Sequence, residues 1–127
     1  MNSQLVLMDK LFISGISFFN EKKYYEAHES WEDLWSDFYL PDANFIQGLI
    51  QLSVGYFHIT NLNINGAIGL LTKSIKKLTP YSPKCRSING DILIDSATRS
   101  LDNLSNIDCV KNFDWSTAPK IIFINEK

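Results

Sequence analysis

Apolar residues recur at helical spacing through most of this chain. Leu5, Met8, Leu11, Phe12, Gly15, Phe18 and Phe19 predict a first helix over about residues 3–19, with Ser3 as its N-cap. Asn20 to Lys23 is a polar turn. Tyr24, Ala27, Trp31, Leu34 and Phe38 then fall on one face of a second helix that ends near Phe38, with Trp35 at the edge of that face. Pro41 and Asp42 mark a break, and Asp42 is placed to cap the next helix. That third helix, about residues 43–62, is apolar round most of its circumference. Phe45, Leu49, Leu52, Tyr56 and Ile59 lie on one side and Ile46, Ile50 and Phe57 on another, so it belongs in the middle of a bundle. Between those faces runs a stripe of Gln47, Gln51, Val54 and His58. Gly48 and Gly55 lie on one edge, where a neighbouring backbone can approach closely.

A fourth helix is predicted over residues 64–78 from Ile64, Ala67, Ile68, Leu71, Ile75 and Leu78, ended by Pro80 and Pro83. Residues 81–90 read as a loop. Leu93, Ala97, Leu101 and Leu104 give a fifth amphipathic helix over 91–104. The tail, with Trp115, Pro119 and the run Ile121 to Ile124, reads as an extended strap that packs back, without a sheet to join. A shift of forty residues aligns Gly15 with Gly55, Ala27 with Ala67, Trp31 with Leu71, Trp35 with Ile75 and Phe38 with Leu78. Each half is then a helical hairpin, like a tetratricopeptide hairpin in its logic. The expected fold is a compact all-α bundle of about five helices, built from two helical hairpins and an extended C-terminal strap.

Length and composition narrow this picture. At 127 residues the chain is expected to form one helical domain, with its motifs between about residues 12 and 81. A formal charge of −2 gives no reason to expect nucleic acid or an anionic membrane as partner. Lys22–Lys23 and Lys76–Lys77 are small basic clusters. Cys85 and Cys109 are too few and too far apart for a metal motif and read as thiols of a reducing compartment. No apolar run approaches a membrane span or a signal peptide. A cytoplasmic protein is expected, or a stromal one if it belongs to a plastid.

The candidate chemistry lies on the second and third helices. His28 and Glu32, four residues apart, share a flank beside Trp35, with Glu29 nearer solvent. If the two helices pack antiparallel, His28 and Glu32 can face Gln47, Gln51 and His58. One reading is a buried hydrogen-bond network, with Glu32 accepting from His28 or His58 and Gln51 bonding tryptophan N–H groups. Unpaired buried polar groups cost about 1–3 kcal/mol each, which favours such pairing. The other reading is a pocket for an organic ligand or, from His28, Glu32 and His58, for a divalent ion, although no established metal signature is present. Ser30 and Ser53 have no histidine-and-acid arrangement for nucleophilic catalysis, and no phosphate loop follows a strand.

The pattern YxEAHExWExxW over Tyr24 to Trp35, the string Gln-Gly-Leu-Ile-Gln from Gln47 with His58 beyond it, and Asn63-x-x-Gly66-Ala67 together resemble the family of domain of unknown function 309. The resemblance spans about residues 12–81. It implies a compact all-α bundle found in bacteria, archaea or plastids. The family's motif residues fall on Glu26, Ala27, His28, Glu29, Trp31, Glu32, Trp35, Gln47, Gly48, Gln51 and His58. Two positions depart from it: Ser53-Val54-Gly55 replaces a run of small residues, and Leu62 replaces a glycine. The expected function is a binding or interaction module, with a protein partner or a second copy as its target and a His/Glu/Gln cluster between the second and third helices. The alternative is an enzyme or small-molecule-binding protein that uses this cluster, its cofactor unknown.

Overall fold

The computed structural model describes residues 2–124. Five helices, α1 (Ser3–Asn20), α2 (Tyr24–Asp37), α3 (Ala43–Thr60), α4 (Ile64–Leu78) and α5 (Gly90–Asn106), succeed one another, and each packs chiefly on its sequence neighbours. The all-α bundle expected from the periodicity is the fold observed. α3 is the centre of the core: ten of its residues are buried, Phe45 to Ile59 among them. Tyr56 reaches three other helices from there. Its ring packs edge-on to Phe19 and stacks on Tyr24, and its hydroxyl donates to Ser100 Oγ at 2.8 Å. Burial pushes the hydroxyls of both Tyr24 and Tyr56 well above the ordinary tyrosine range, so both stay protonated at neutral pH.

The forty-residue repeat is a repeat of geometry. Gly15 faces the Trp31 indole, and Gly55 faces Leu71, its counterpart forty positions on. Ala27 and Ala67 are both fully buried where the second helix of each hairpin crosses the first. The two inter-helix turns match as well. Lys22 and Leu62 both take left-handed backbone, with φ of 62° and 60°, and the amides of Lys23 and Asn63 donate to Phe18 O and His58 O at 2.9 and 2.8 Å. These bonds satisfy carbonyls that the helix end leaves unpaired. For Leu62, which bears a side chain, this conformation costs about 1–2 kcal/mol.

Four expectations need correction. Asn2, not Ser3, caps α1, its side chain accepting from the Gln4 amide at 2.8 Å. Asp42 does not cap α3 with its side chain. Its carboxylate turns instead to Arg86, with Nε–Oδ2 at 2.6 Å and Nη2–Oδ1 at 3.0 Å. A fork-shaped guanidinium offers a carboxylate two parallel bonds, which outweighs a single cap. Residues 81–90 are not all loop: β1 (Lys84–Cys85) and β2 (Ile88–Asn89) pair antiparallel through Arg86 and Ser87, both at positive φ. The strap therefore has something to join. It bridges Ile88 through Phe123, and backbone bonds link Asn89 to Ile122 and Ile124 to Ser87. It is anchored across the molecule by Asn20, whose side chain donates to Ile121 O at 3.0 Å and accepts from Ile121 N at 2.7 Å. Short 3₁₀ turns at Val110–Asn112 and Trp115–Thr117 precede its extended part.

The Asp42–Arg86 pair ties the start of α3 to the small hairpin. The Arg86 bond holds the Asp42 carboxyl below the usual carboxylate range, against the opposing effect of partial burial. A lowered folded-state pKa contributes stability above the unfolded-state value near 4, and that stability is lost as the pH falls through the folded value. Asp42→Asn is expected to cost about 1–2 kcal/mol at pH 7. Urea midpoints measured from pH 7 down to pH 2 should fall less steeply in the variant than in the parent.

Candidate functional site

The stripe of Gln47, Gln51, Val54 and His58 is half-buried along its whole length. α3 is closed off on its apolar faces by its neighbours, and this strip is left at the rim. Two concavities open along it, one toward α2 and one toward α4.

The first is lined by Tyr25 and His28 from α2 and by Val54, Phe57 and His58 from α3, and encloses about 150 Å³. Its walls are mostly apolar. Tyr25 packs against both the Phe57 ring, at 5.4 Å between centroids, and the His28 ring, at 5.6 Å. His28 is partly buried, and its Nδ1 is fully enclosed with no hydrogen-bond partner among the described residues. His58 is held from below: Asn63 Nδ2 lies 3.4 Å from its Nδ1. An amide nitrogen can only donate, so this contact is a hydrogen bond in the tautomer whose Nδ1 is free to accept. The same Asn63 caps α4 by accepting from the Gly66 amide at 3.0 Å, so the turn after α3 also orients the ring.

The second concavity encloses about 460 Å³ between the first half of α3 and the C-terminal end of α4. Gln51 lines it, and its Oε1 is likewise enclosed and unpartnered.

The seven residues singled out by sequence are therefore divided. His28 and His58 share one wall-lined pocket; Gln51 belongs to the other; Glu32 and Gln47 line neither, although both are half-buried. Glu29 is exposed, and Trp35 is 38% exposed. Among the described residues the expected hydrogen-bond network does not form. Trp31 Nε1 donates instead to Phe12 O at 3.2 Å, and His28 Nδ1 and Gln51 Oε1 are left without partners. The geometry explains this. Tyr25 lies level with Phe57, so on antiparallel helices His58 lies toward the start of α2. Glu32 is one turn past His28 in the opposite direction, about 6 Å further along the axis. For the same reason, among the described residues no three of His, Cys, Asp and Glu gather closely enough to hold a metal ion, and His28, Glu32 and His58 do not form the triad their spacing allows.

Val54 lines the first pocket from the stripe the sequence marked; the sequence reading missed Tyr25 and Phe57 there, and Asn44, Lys73 and Tyr81 in the second pocket. The signal for Tyr25 was present, three residues before His28 on the same flank. Lys73, Lys76 and Lys77 are likewise spaced to share one face of a helix.

The two free cysteines bear on neither pocket. Cys85 is pushed up to about 11 by burial and by the Asp42 carboxylate beside it, so it is a thiol at neutral pH.

Fold and site define an all-α module of two superposable hairpins with a polar strip along its central helix, and among the described residues no helix is long and apolar enough to cross a membrane. The model of the DUF309 family, a domain of unknown function, matches residues 12–70, from the middle of α1 to the middle of α4. Among curated proteins and among solved structures nothing matches the chain.

Proposed function

We propose that the chain is a binding module and that the pocket between α2 and α3 receives an aromatic ring bearing a hydroxyl, such as a tyrosine of a protein partner. The observation that carries this reading is the enclosed, unpartnered Nδ1 of His28 at the edge of a mostly apolar pocket. A buried polar atom without a partner costs about 1–3 kcal/mol, and an incoming hydroxyl restores that loss. A phenol both donates and accepts, so it suits either tautomer of His28. The volume of about 150 Å³ is that of a cavity that holds a single benzene ring. Tyr25 and Phe57 supply ring edges and faces for an aromatic guest.

The test uses p-cresol and toluene, which differ by one hydroxyl. Titrated into ¹⁵N-labelled protein, p-cresol should shift the amide resonances of His28, Phe57 and His58 at millimolar concentration, and toluene should bind several-fold more weakly. In His28→Leu the two should bind alike. Absence of any shift at these residues, or a preference for p-cresol that survives in His28→Leu, would refute the assignment.

A further inference from the structure

We propose that the cleft between the start of α3 and the end of α4 binds a small phosphate ester that carries a free hydroxyl, at a site separate from the histidine pocket. Lys73, Lys76 and Lys77 of α4 all line this cleft of about 460 Å³. Among the described residues none of the three is in an ion pair. Three ammonium groups on one wall repel one another weakly, and an anion between them relieves that repulsion. Lys76 and Lys77 stand in the last turn of α4, where they also offset the helix dipole. Lys73, one turn earlier, has no such role.

The opposite wall supports the same charge. Asn44 places the first turn of α3 at the cleft. That turn has no side-chain cap, because Asp42 is engaged with Arg86; the Phe45 and Ile46 amides donate to Asp42 O, which leaves the amides of Ala43 and Asn44 for an anion. Three ammonium groups and a helix N-terminus suit a dianion with three acceptor oxygens better than a carboxylate.

The need for a hydroxyl comes from Gln51. Its enclosed Oε1 accepts no hydrogen bond from the chain, and the phosphate group of a monoester dianion, which has only acceptors, cannot supply one. A hydroxyl on the ester can. Pro80 and Tyr81 close the far side and give the uncharged part of the ligand a surface to rest on. A cleft of this size holds one small molecule, and the chain's net charge of −2 is set against a polyanion.

The probes are glycerol 3-phosphate, ethyl phosphate, a monoester without the hydroxyl, and phosphatidylcholine vesicles carrying lysophosphatidic acid, which keeps a monoester phosphate and a free hydroxyl. By calorimetry at low salt, glycerol 3-phosphate should bind the wild-type protein and bind the Lys73→Ala/Lys77→Ala double variant at least tenfold more weakly. Both lysines can be changed without touching the core, which circular dichroism would verify. Gln51→Leu should weaken glycerol 3-phosphate several-fold and leave ethyl phosphate unchanged. Binding of the free ester without vesicle sedimentation assigns a soluble ligand; sedimentation that the lysine variant abolishes assigns a lipid headgroup. Either upholds the site. No binding of ester or vesicle, binding indifferent to the lysine changes, or equal loss of glycerol 3-phosphate and ethyl phosphate in Gln51→Leu would overturn it. None of these readouts depends on the histidine pocket.

Discussion

Replacing Trp31 by alanine is expected to remove about 3–5 kcal/mol of stability, which can be the greater part of what a domain of this size has. Trp31 is fully buried. Its ring packs near Phe19, with 6.0 Å between centroids, and over the bare backbone of Gly15. Its Nε1 donates to Phe12 O at 3.2 Å, so the substitution also removes a second bond to a carbonyl inside α1 and leaves no buried donor in its place. Urea denaturation monitored by far-ultraviolet circular dichroism measures the loss. A fall of less than about 1 kcal/mol would mean that α1 and α2 do not depend on this contact. Trp31→Phe should recover roughly half the loss, because it refills much of the volume and none of the hydrogen bond.

Gly15→Ala is the second large effect, and its sign comes from geometry. A β-carbon at Gly15 would lie 2.1 Å from Trp31 Nε1 and 2.4 Å from Cε2. The indole is rigid and enclosed, so α1 must move away from α2. Overpacking of this kind costs about 1–3 kcal/mol, and here it should exceed the gain of nearly 1 kcal/mol that alanine normally brings to a helix interior. Gly69 is the control. It lies inside α4 with nothing within 4 Å of where its β-carbon would stand. Gly69→Ala should therefore stabilise the protein by about 0.5–1 kcal/mol. If both substitutions shift the midpoint in the same direction, the close approach of α1 and α2 at Trp31 is wrong.

The helices were legible because each buries a stripe of apolar residues against a neighbour, and that requirement writes itself into the spacing. Leu93, Ala97 and Leu104 in α5 show this plainly, all three buried as expected. The forty-residue offset was legible for a related reason. A glycine opposite a large side chain is a pair, and Gly15 with Trp31 matches Gly55 with Leu71. What escaped the sequence were pairings between distant positions. Asp42 looked like a cap because a cap is a local device, and Arg86, forty-four residues away, displaced the local bond. The hairpin at Lys84 to Asn89 has strands of two residues, too short to leave a period, and it exists because Arg86 and Ser87 accept left-handed backbone.

The candidate site divided along the same line. That His28 and His58 would meet was readable from antiparallel helices, given their places on α2 and α3. That Glu32 would fall away from them depended on the level at which the two helices align, and Tyr25 against Phe57 fixes that level. The lysine cleft needed the third dimension too. Lys73, Lys76 and Lys77 resemble an ordinary solvated face until Asn44 and Gln51 are brought across from α3.

The clasp between Asn20 and Ile121 joins positions 101 residues apart. Loop closure over such a span rewards nothing until nearly all the chain exists. Until the strap seats, Ile88 lacks its cross-strand neighbour Phe123 and the side chain of Asn20 lacks both of its bonds to Ile121. A chain cut before residue 121 should therefore show faster amide exchange at the Lys84–Asn89 hairpin than the full chain.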